Sequence, residues 1–489
     1  MKVPRSMFIL ACFFSLLGVQ ADGGEFFVAP DAGTRGDGSQ ARPWSLAYAL
    51  SEPAAVQPGD TIWLRGGTYP GKYVSYLTGT STAPIVVRSY PGEWAKIDSG
   101  SGNPSALDIL QVNGAYTWYE GFEIMSSDPH RQSSQNGSLP TDITRGGCAS
   151  TNTGQGVGVK FINLVCHDAA GGISPWADSS GAEVYGNLIY YNGWNGATDR
   201  GHGHNIYAQN TAGSKLLADN IMFGSYDIGM QVYGSSAAGL VNFTIQGNFV
   251  FNSGLVSGYG GAANLVYGGG SLATNGQVIA NVFYSPAGSY EQIGYSAGVR
   301  PASVKDNYFA PGGTTALKFV NTLDVLTMTG NTFYGLVVDD TSQEVEASRF
   351  PNNTFFRTTR PTGTIVYVRP NKYEAGRGHI AVLNWRLAST VNVDVSSILP
   401  VGSAYEVRNA QNFFGPPVVS GVYAGGTIPL PMTGVTPVVP VGGTTTPPAT
   451  GPEFNAFVVV TRAEHRLVQT PDRRVPNSLP PRPRKPQAK

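Results

Sequence analysis

The sequence predicts an all-β chain: a solenoid of short stacked coils followed by a second, smaller β-rich unit. Gly (63) and Pro (34) are abundant among 489 residues of which only 13% are charged. These turn-formers alternate with aromatic and β-branched runs such as "EFFVAP" and "APIVVRSY", a profile of strands rather than helices. Asn recurs directly before a short apolar run at positions 163, 187, 220, 248, 281, 307, 331 and 353, at spacings of 24, 33, 28, 33, 26, 24 and 22 residues. A period in the low twenties with insertions means stacked supersecondary units. Near residue 362 the period stops and longer strand-like runs begin.

Residues 1–21 read as a cleavable export signal: Lys2 and Arg5, an apolar run from Met7 to Leu17, and "VQA" ending at Ala21. The mature chain is therefore expected to be secreted or periplasmic. No other stretch reaches the ~20 apolar residues of a membrane span. Loss of Cys12 with the signal leaves Cys148 and Cys166. An oxidising exterior permits them to pair, and two buried free thiols are the alternative. Formal net charge is zero, but with seven basic residues in the tail and two in the signal set aside, 23 basic and 31 acidic residues remain, a net of −8. Such a body has no general attraction for nucleic acid. Residues 465–489, basic and Pro-rich, read as a disordered tail.

Between residues 22 and 361 each repeat reads as one coil, with strands of four to six residues. Coils stack so that equivalent side chains form columns, and the Asn column can hydrogen-bond along itself inside a turn. Ile173, Ile206 and Ile293 each lie 14 residues before their coil's Asn, which suggests a second column. The long coil from Asn187 to Asn220 must then hold its extra residues in "NGWNGATDRG", and insertions in a repeat array map to loops on one face.

The segment "FFVAPDAGTRGDGSQARPWSLAYAL", the following "VQPGDTIWLRGGTY" and the Asn-punctuated coils together resemble the secreted right-handed parallel β-helix proteins of the pectate lyase-like superfamily. The resemblance covers residues 25 to about 360. It implies a right-handed parallel β-helix solenoid, a short entry helix in "SLAYALSEPA" that caps the open end, and action on a polysaccharide. From 362 to 464 the runs "GTIVYVR", "HIAVLNW", "TVNVDV", "AYEVRNA" and "NAFVVVTR" resemble the small β-sandwich appended to many secreted glycan-active enzymes. It is expected to support the barrel end or to bind sugar. Residues 433–452, rich in Pro and Thr, read as a long loop before its last strand.

His167 and Asp168 follow Asn163 by four and five positions, Asp227 follows Asn220 by seven, and the inserted loop with Asp199, Arg200, His202 and His204 starts six after Asn187. With coils about 4.8 Å apart, these residues map to one turn region on three successive coils. Trp176, Trp194 and Tyr226 lie near enough in sequence to stack on sugar rings. Lys160 is a further candidate for reaching substrate. Arg131 and Arg145, in the long insertion "SSDPHRQSSQNGSLPTDITRGG" with His130, are candidate anion contacts on a cleft wall.

Elimination on a uronic-acid polymer needs a base for the proton beside the carboxylate and a cation for the developing charge. Arg200 would neutralise charge, His202 or His204 would be the base, and Asp168, Asp199 and Asp227 would hold Ca²⁺. "HGH" also permits a Zn²⁺ set with an aspartate. Hydrolysis would instead use two of the aspartates as acid and base, ~5–9.5 Å apart. Elimination is narrowly favoured, and a non-catalytic glycan-binding or adhesion protein on the same solenoid is the competing class. The expected partner is a polysaccharide, met by a monomer.

Overall fold

The computed structural model describes residues 23–33, 35–102, 107–286 and 288–461; the export signal and the basic tail read from the sequence lie outside them. The chain is a parallel β-helix of three sheets. The coils between Thr61 and Val338 visit them in the same order. Sheet 1 has eleven strands from Glu25–Val28 to Leu326–Thr329, sheet 2 has eleven from Gly67–Pro70 to Thr354–Phe355, and sheet 3 has ten from Tyr73–Ser75 to Leu336–Val338. The entry helix, Leu46–Leu50, is capped by the Ser45 hydroxyl on the Tyr48 N–H and buries Leu46, Ala49 and Leu50.

Register between coils is maintained by in-line columns. In sheet 1, Phe161, Val184, Leu217, Ile245, Val278, Val304 and Met328 pair successively and all point inward. In sheet 2 the inward column ends in a run of phenylalanines, Phe283, Phe309, Phe333 and Phe355, with centroids 5.1–5.2 Å apart.

The asparagine column is present, with a one-residue correction at its start. Asn187, Asn220, Asn248, Asn281, Asn307, Asn331 and Asn353 form a continuous ladder in which each side-chain oxygen accepts from the backbone N–H of the asparagine one coil earlier. Leu164, not Asn163, occupies the ladder's first place, its N–H donating to Asn187. Asn163 sits one position earlier at φ +53°, where later coils have Gly186, Asp219, Gly247, Ala280, Asp306 and Gly330, all at positive φ. Its amide instead pairs with Asn371. The isoleucine column is also partly corrected: Ile173 stacks on Ile206, but Ile293 pairs with Tyr267, two places further along the strand.

Cys148, in sheet 3, and Cys166, in sheet 2, form a disulfide across the interior with Cα atoms 6.0 Å apart.

From Thr364 the strands become antiparallel. A five-stranded sheet runs in the order Thr364–Pro370, Gly378–Asn384, Phe454–Thr461, Ala404–Asn409, Val419–Val422, and Thr390–Asp394 pairs with Thr427–Pro431. One face of the larger sheet (Ile380, Val382, Phe457, Val459) packs within the unit; the other (Ala381, Leu383, Ala456, Val458) packs on the outer face of sheet 2. This unit therefore lies along the flank of the helix, not at its end. It explains why strands such as "VCH", "LIY", "IMF" and "FVF" are buried at every position: sheet 2 is covered on both faces.

Candidate functional site

The inserted coil folds back on itself. Trp194–Asn195 pairs antiparallel with Gly201–His202, and the turn between them carries Asp199 and Arg200 at the surface. His202 is buried, stacked on Trp194 at 5.3 Å and 13°, with Nε2 3.1 Å from Asp199 and a buried, unpartnered Nδ1. The N–H of Gly137 donates to Asp199 and, with a smaller contribution from His202, holds that carboxyl down at about 2. Arg200 is ion-paired to Asp227.

Asp168 lies elsewhere, in a sealed network. It is ion-paired to Arg131, accepts from His167 Nδ1 at 2.7 Å and from the Val441 N–H at 2.9 Å. His167 Nε2 meets Glu123 at 3.1 Å, and Glu123 accepts from Trp94 at 2.7 Å. Burial pulls the His167 pKa down, but its two carboxylate partners more than offset this and hold it at about 9. The imidazole ring is stacked on Tyr190 at 4.8 Å beneath the flanking unit, so His167 is a charged structural group rather than a sugar contact.

The sequence therefore grouped residues that the structure separates. Asp168, Asp199 and Asp227 each have their own cationic or imidazole partner and do not form the expected Ca²⁺ set. Among the described residues no group of three or more His, Cys, Asp or Glu could hold a metal ion. "HGH" makes no Zn²⁺ pair, because His202 meets Asp199 while His204 meets the Ile228 carbonyl. Arg131 is consumed by Asp168 and the carbonyls of Tyr191, Gly193 and Val441, with Tyr226 stacked 4.8 Å below its guanidinium. Arg145, fully buried, donates to the carbonyls of Asp128, His130 and Asp168. Trp194 and Tyr226 are likewise buried. Lys160 meets Tyr373 of the flanking unit at 2.9 Å and Glu183, its register partner on the next coil of sheet 1, at 3.3 Å.

On the outer face of sheet 3 most side chains keep partial exposure, Val266 being buried. Tyr207, Gln231, Val266, Gln292 and Lys318 follow one another in register there, while their neighbours Ile206, Met230, Leu265 and Leu317 fill the core. His204 stands at the start of this face, its ring edge-on to Tyr207 at 5.5 Å. Its Nδ1 is 3.2 Å from the Ile228 carbonyl, which can only accept, so Nδ1 carries the proton and Nε2 holds the lone pair. Burial, assisted by the positive field of Arg200, draws its pKa down to about 4, so the ring is neutral at pH 7. Burial also raises the Tyr207 pKa, keeping that phenol protonated. Trp176 meets Tyr207 from the other side at 5.1 Å.

Trp176 is positioned from below by a residue the sequence reading missed. The Lys215 ammonium is buried and donates to the carbonyls of Pro175 (3.0 Å), Trp176 (2.7 Å) and Gln209 (2.5 Å) and to Ser179 Oγ (2.8 Å). Four oxygens around one cation fasten turns of two successive coils. "SKLLA" carries no local sign of this, since a lysine opening a solenoid strand ordinarily faces water.

Three parallel sheets with an internal asparagine ladder define a parallel β-helix protein. No protein-family model matches the chain. Among curated proteins it is similar to pectate lyase PEL9 of Emericella nidulans, 33% identical over 128 residues, which is 23% of this chain and 30% of that protein. The match thus spans less than a third of the relative's length. Similar solved structures include pectate lyase Pel9A (18% identity, 68% of this chain and 75% of that chain, TM-score 0.41). They also include a rhamnogalacturonan lyase (12%, 68% and 87%, 0.42) and the xylose complex of XylC (10%, 89% and 100%, 0.41).

Proposed function

We propose that this chain is a secreted polysaccharide-cleaving protein that acts by β-elimination on a uronic-acid polymer bound across sheet 3. The observation that carries the reading is His204: a neutral imidazole with Nδ1–H fixed on the Ile228 carbonyl and the basic Nε2 left for substrate, beside a protonated Tyr207. In this reading Nε2 takes the proton at C5 of a uronate, the electron pair forms the C4–C5 double bond, and the C4–O4 bond breaks. The leaving oxygen takes a proton from the Tyr207 hydroxyl. Arg200, paired to Asp227, adds a positive field at His204 from the inserted loop. The partial likeness to a pectate lyase supports the same chemistry. The hydrolytic alternative finds less support, because Asp168, Asp199 and Asp227 are all engaged in separate pairs.

The test is ultraviolet absorbance and reducing ends read together on acidic and neutral polysaccharides, with and without chelator. Wild type should release unsaturated product, and His204→Ala should lose it by about 100-fold or more. Activity should rise with pH through about 4, where His204 loses its proton, and then level off. Reducing ends without absorbance would overturn the elimination. Loss of activity in chelator would establish a cation requirement.

A further inference from the structure

The aromatic residues of sheet 3 extend well beyond His204. Trp176 touches Tyr207, Tyr233 stands on the next coil two places beyond Gln231, the register partner of Tyr207, and Tyr233 meets Tyr295 edge-on at 5.2 Å. The last contact crosses an intervening coil, whose chain at Gly268 packs closely on the next. A Cβ there would come within 2.6 Å of the Gly294 carbonyl carbon, so this position takes only glycine. Tyr295 is 41% exposed. Beside it lies a shallow, open depression of about 360 Å³ formed by Val320 and Tyr295 together with Gln292, Asn321 and Asp340. From the strand before Trp176 to the strand before Tyr295 is four coil steps, about 19 Å along the axis.

We infer that Trp176, Tyr207, Tyr233 and Tyr295 form a track that holds one extended glycan chain along the coil axis, so that the polymer is engaged internally rather than from an end. The inference rests on the reading of sheet 3 as the glycan face. Aromatic faces take the apolar side of successive sugar rings, and amide and carboxylate groups beside them take hydroxyls. Lys215, holding Trp176 from beneath, fixes one end of the track; the depression beside Tyr295 takes a hydroxyl-rich unit at the other. His204 and Tyr207 lie within the track rather than at its end, which is the arrangement of an internal cut.

Affinity electrophoresis in polygalacturonate, alginate and arabinoxylan gels, and calorimetry with galacturonate dimers and hexamers, test this on the whole chain. Tyr295→Ala should weaken binding of the retarding polymer and of the hexamer about tenfold and leave the dimer unchanged. Tyr295→Phe should restore it. In wild type, viscosity should fall ahead of reducing-end release. The track is overturned if Tyr295→Ala binds polymer as wild type does, or if wild type is retarded by none of the three polymers. The cleavage reading fails separately: a wild type that binds, loses affinity in Tyr295→Ala and turns over nothing keeps the track and discards the elimination.

Discussion

Glu291 stands in an inward column otherwise filled by Ile206, Met230, Leu265 and Leu317, so a carboxyl occupies the centre of an apolar core. It accepts from the Asn264 side chain at 2.9 Å and the Leu265 N–H at 2.7 Å, but burial dominates and lifts its pKa to about 7. A carboxyl whose folded pKa is raised contributes stability in full below its unfolded pKa and loses it as pH rises through the folded one. Relative to Glu291→Gln, wild type should therefore lose about 3 kcal/mol between pH 4.5 and 7.5. Urea midpoints of both proteins across that range measure it, and parallel curves would show that Glu291 does not titrate there. The same scale shows how the sequence misled. Charged residues near one another in turn coordinates, Asp168 and Asp227 among them, were read as a convergent set. Each had a nearer partner, Arg131 or Arg200, that only the fold brings within reach.

At the scale of the element, the asparagine ladder is the part most legible in the sequence. A column of identical short amides at near-constant spacing has few physical uses besides hydrogen-bonding along itself. Its starting register was off by one, because Asn163 satisfies the local pattern while Leu164 occupies the place. Asn is well tolerated at positive φ, so either position accepts it. Asn248→Ala should cost about 2–4 kcal/mol, since the donors of Asn220 lose their acceptor and the carbonyl of Leu217 its donor in a dry turn. Asn163→Ala, which gives up contacts to the flanking unit only, should cost about 1 kcal/mol. Denaturation midpoints separate the two, and equal losses would place Asn163 in the ladder after all. The inserted loop was also legible as an insertion. Its interior was not, because the stacking of His202 on Trp194 depends on an antiparallel turn that has no repeat to announce it.

For the whole molecule, the decisive feature is that the antiparallel unit lies along sheet 2 and reaches over the helix with the 433–452 loop. That loop is clamped: the Val441 N–H donates to Asp168 and its carbonyl accepts from Arg131 at 2.5 Å, so a buried ion pair in the helix grips both backbone polar groups of one residue of the flanking unit. A cleft of about 530 Å³ lies beneath it, between residues 440–448 and the turns at 129–132 and 255–258. Asp168→Ala should leave Arg131 buried without its partner, at a cost of about 3–5 kcal/mol. It should also free the loop to proteolytic cutting within 433–452, read by the masses of the fragments. Resistance equal to wild type would mean that the Pro-rich loop is held without the clamp.

The sequence by itself determined the all-β class, the coil period, the place of the insertion and the change of architecture near residue 362, and its resemblance to β-helix proteins implied the entry helix. Each is written in a local pattern: a spacing, a cap, a run of turn residues. The tertiary structure alone decided which charged side chains are free, because in a solenoid a residue's electrostatic partner sits one coil or one packed sheet away, at no fixed separation in the chain. It buried His167, Arg131 and Arg145 and left His204 with an open nitrogen. It turned Lys215 into an internal fastener and aligned four aromatic rings, scattered over 120 residues of sequence, along one face.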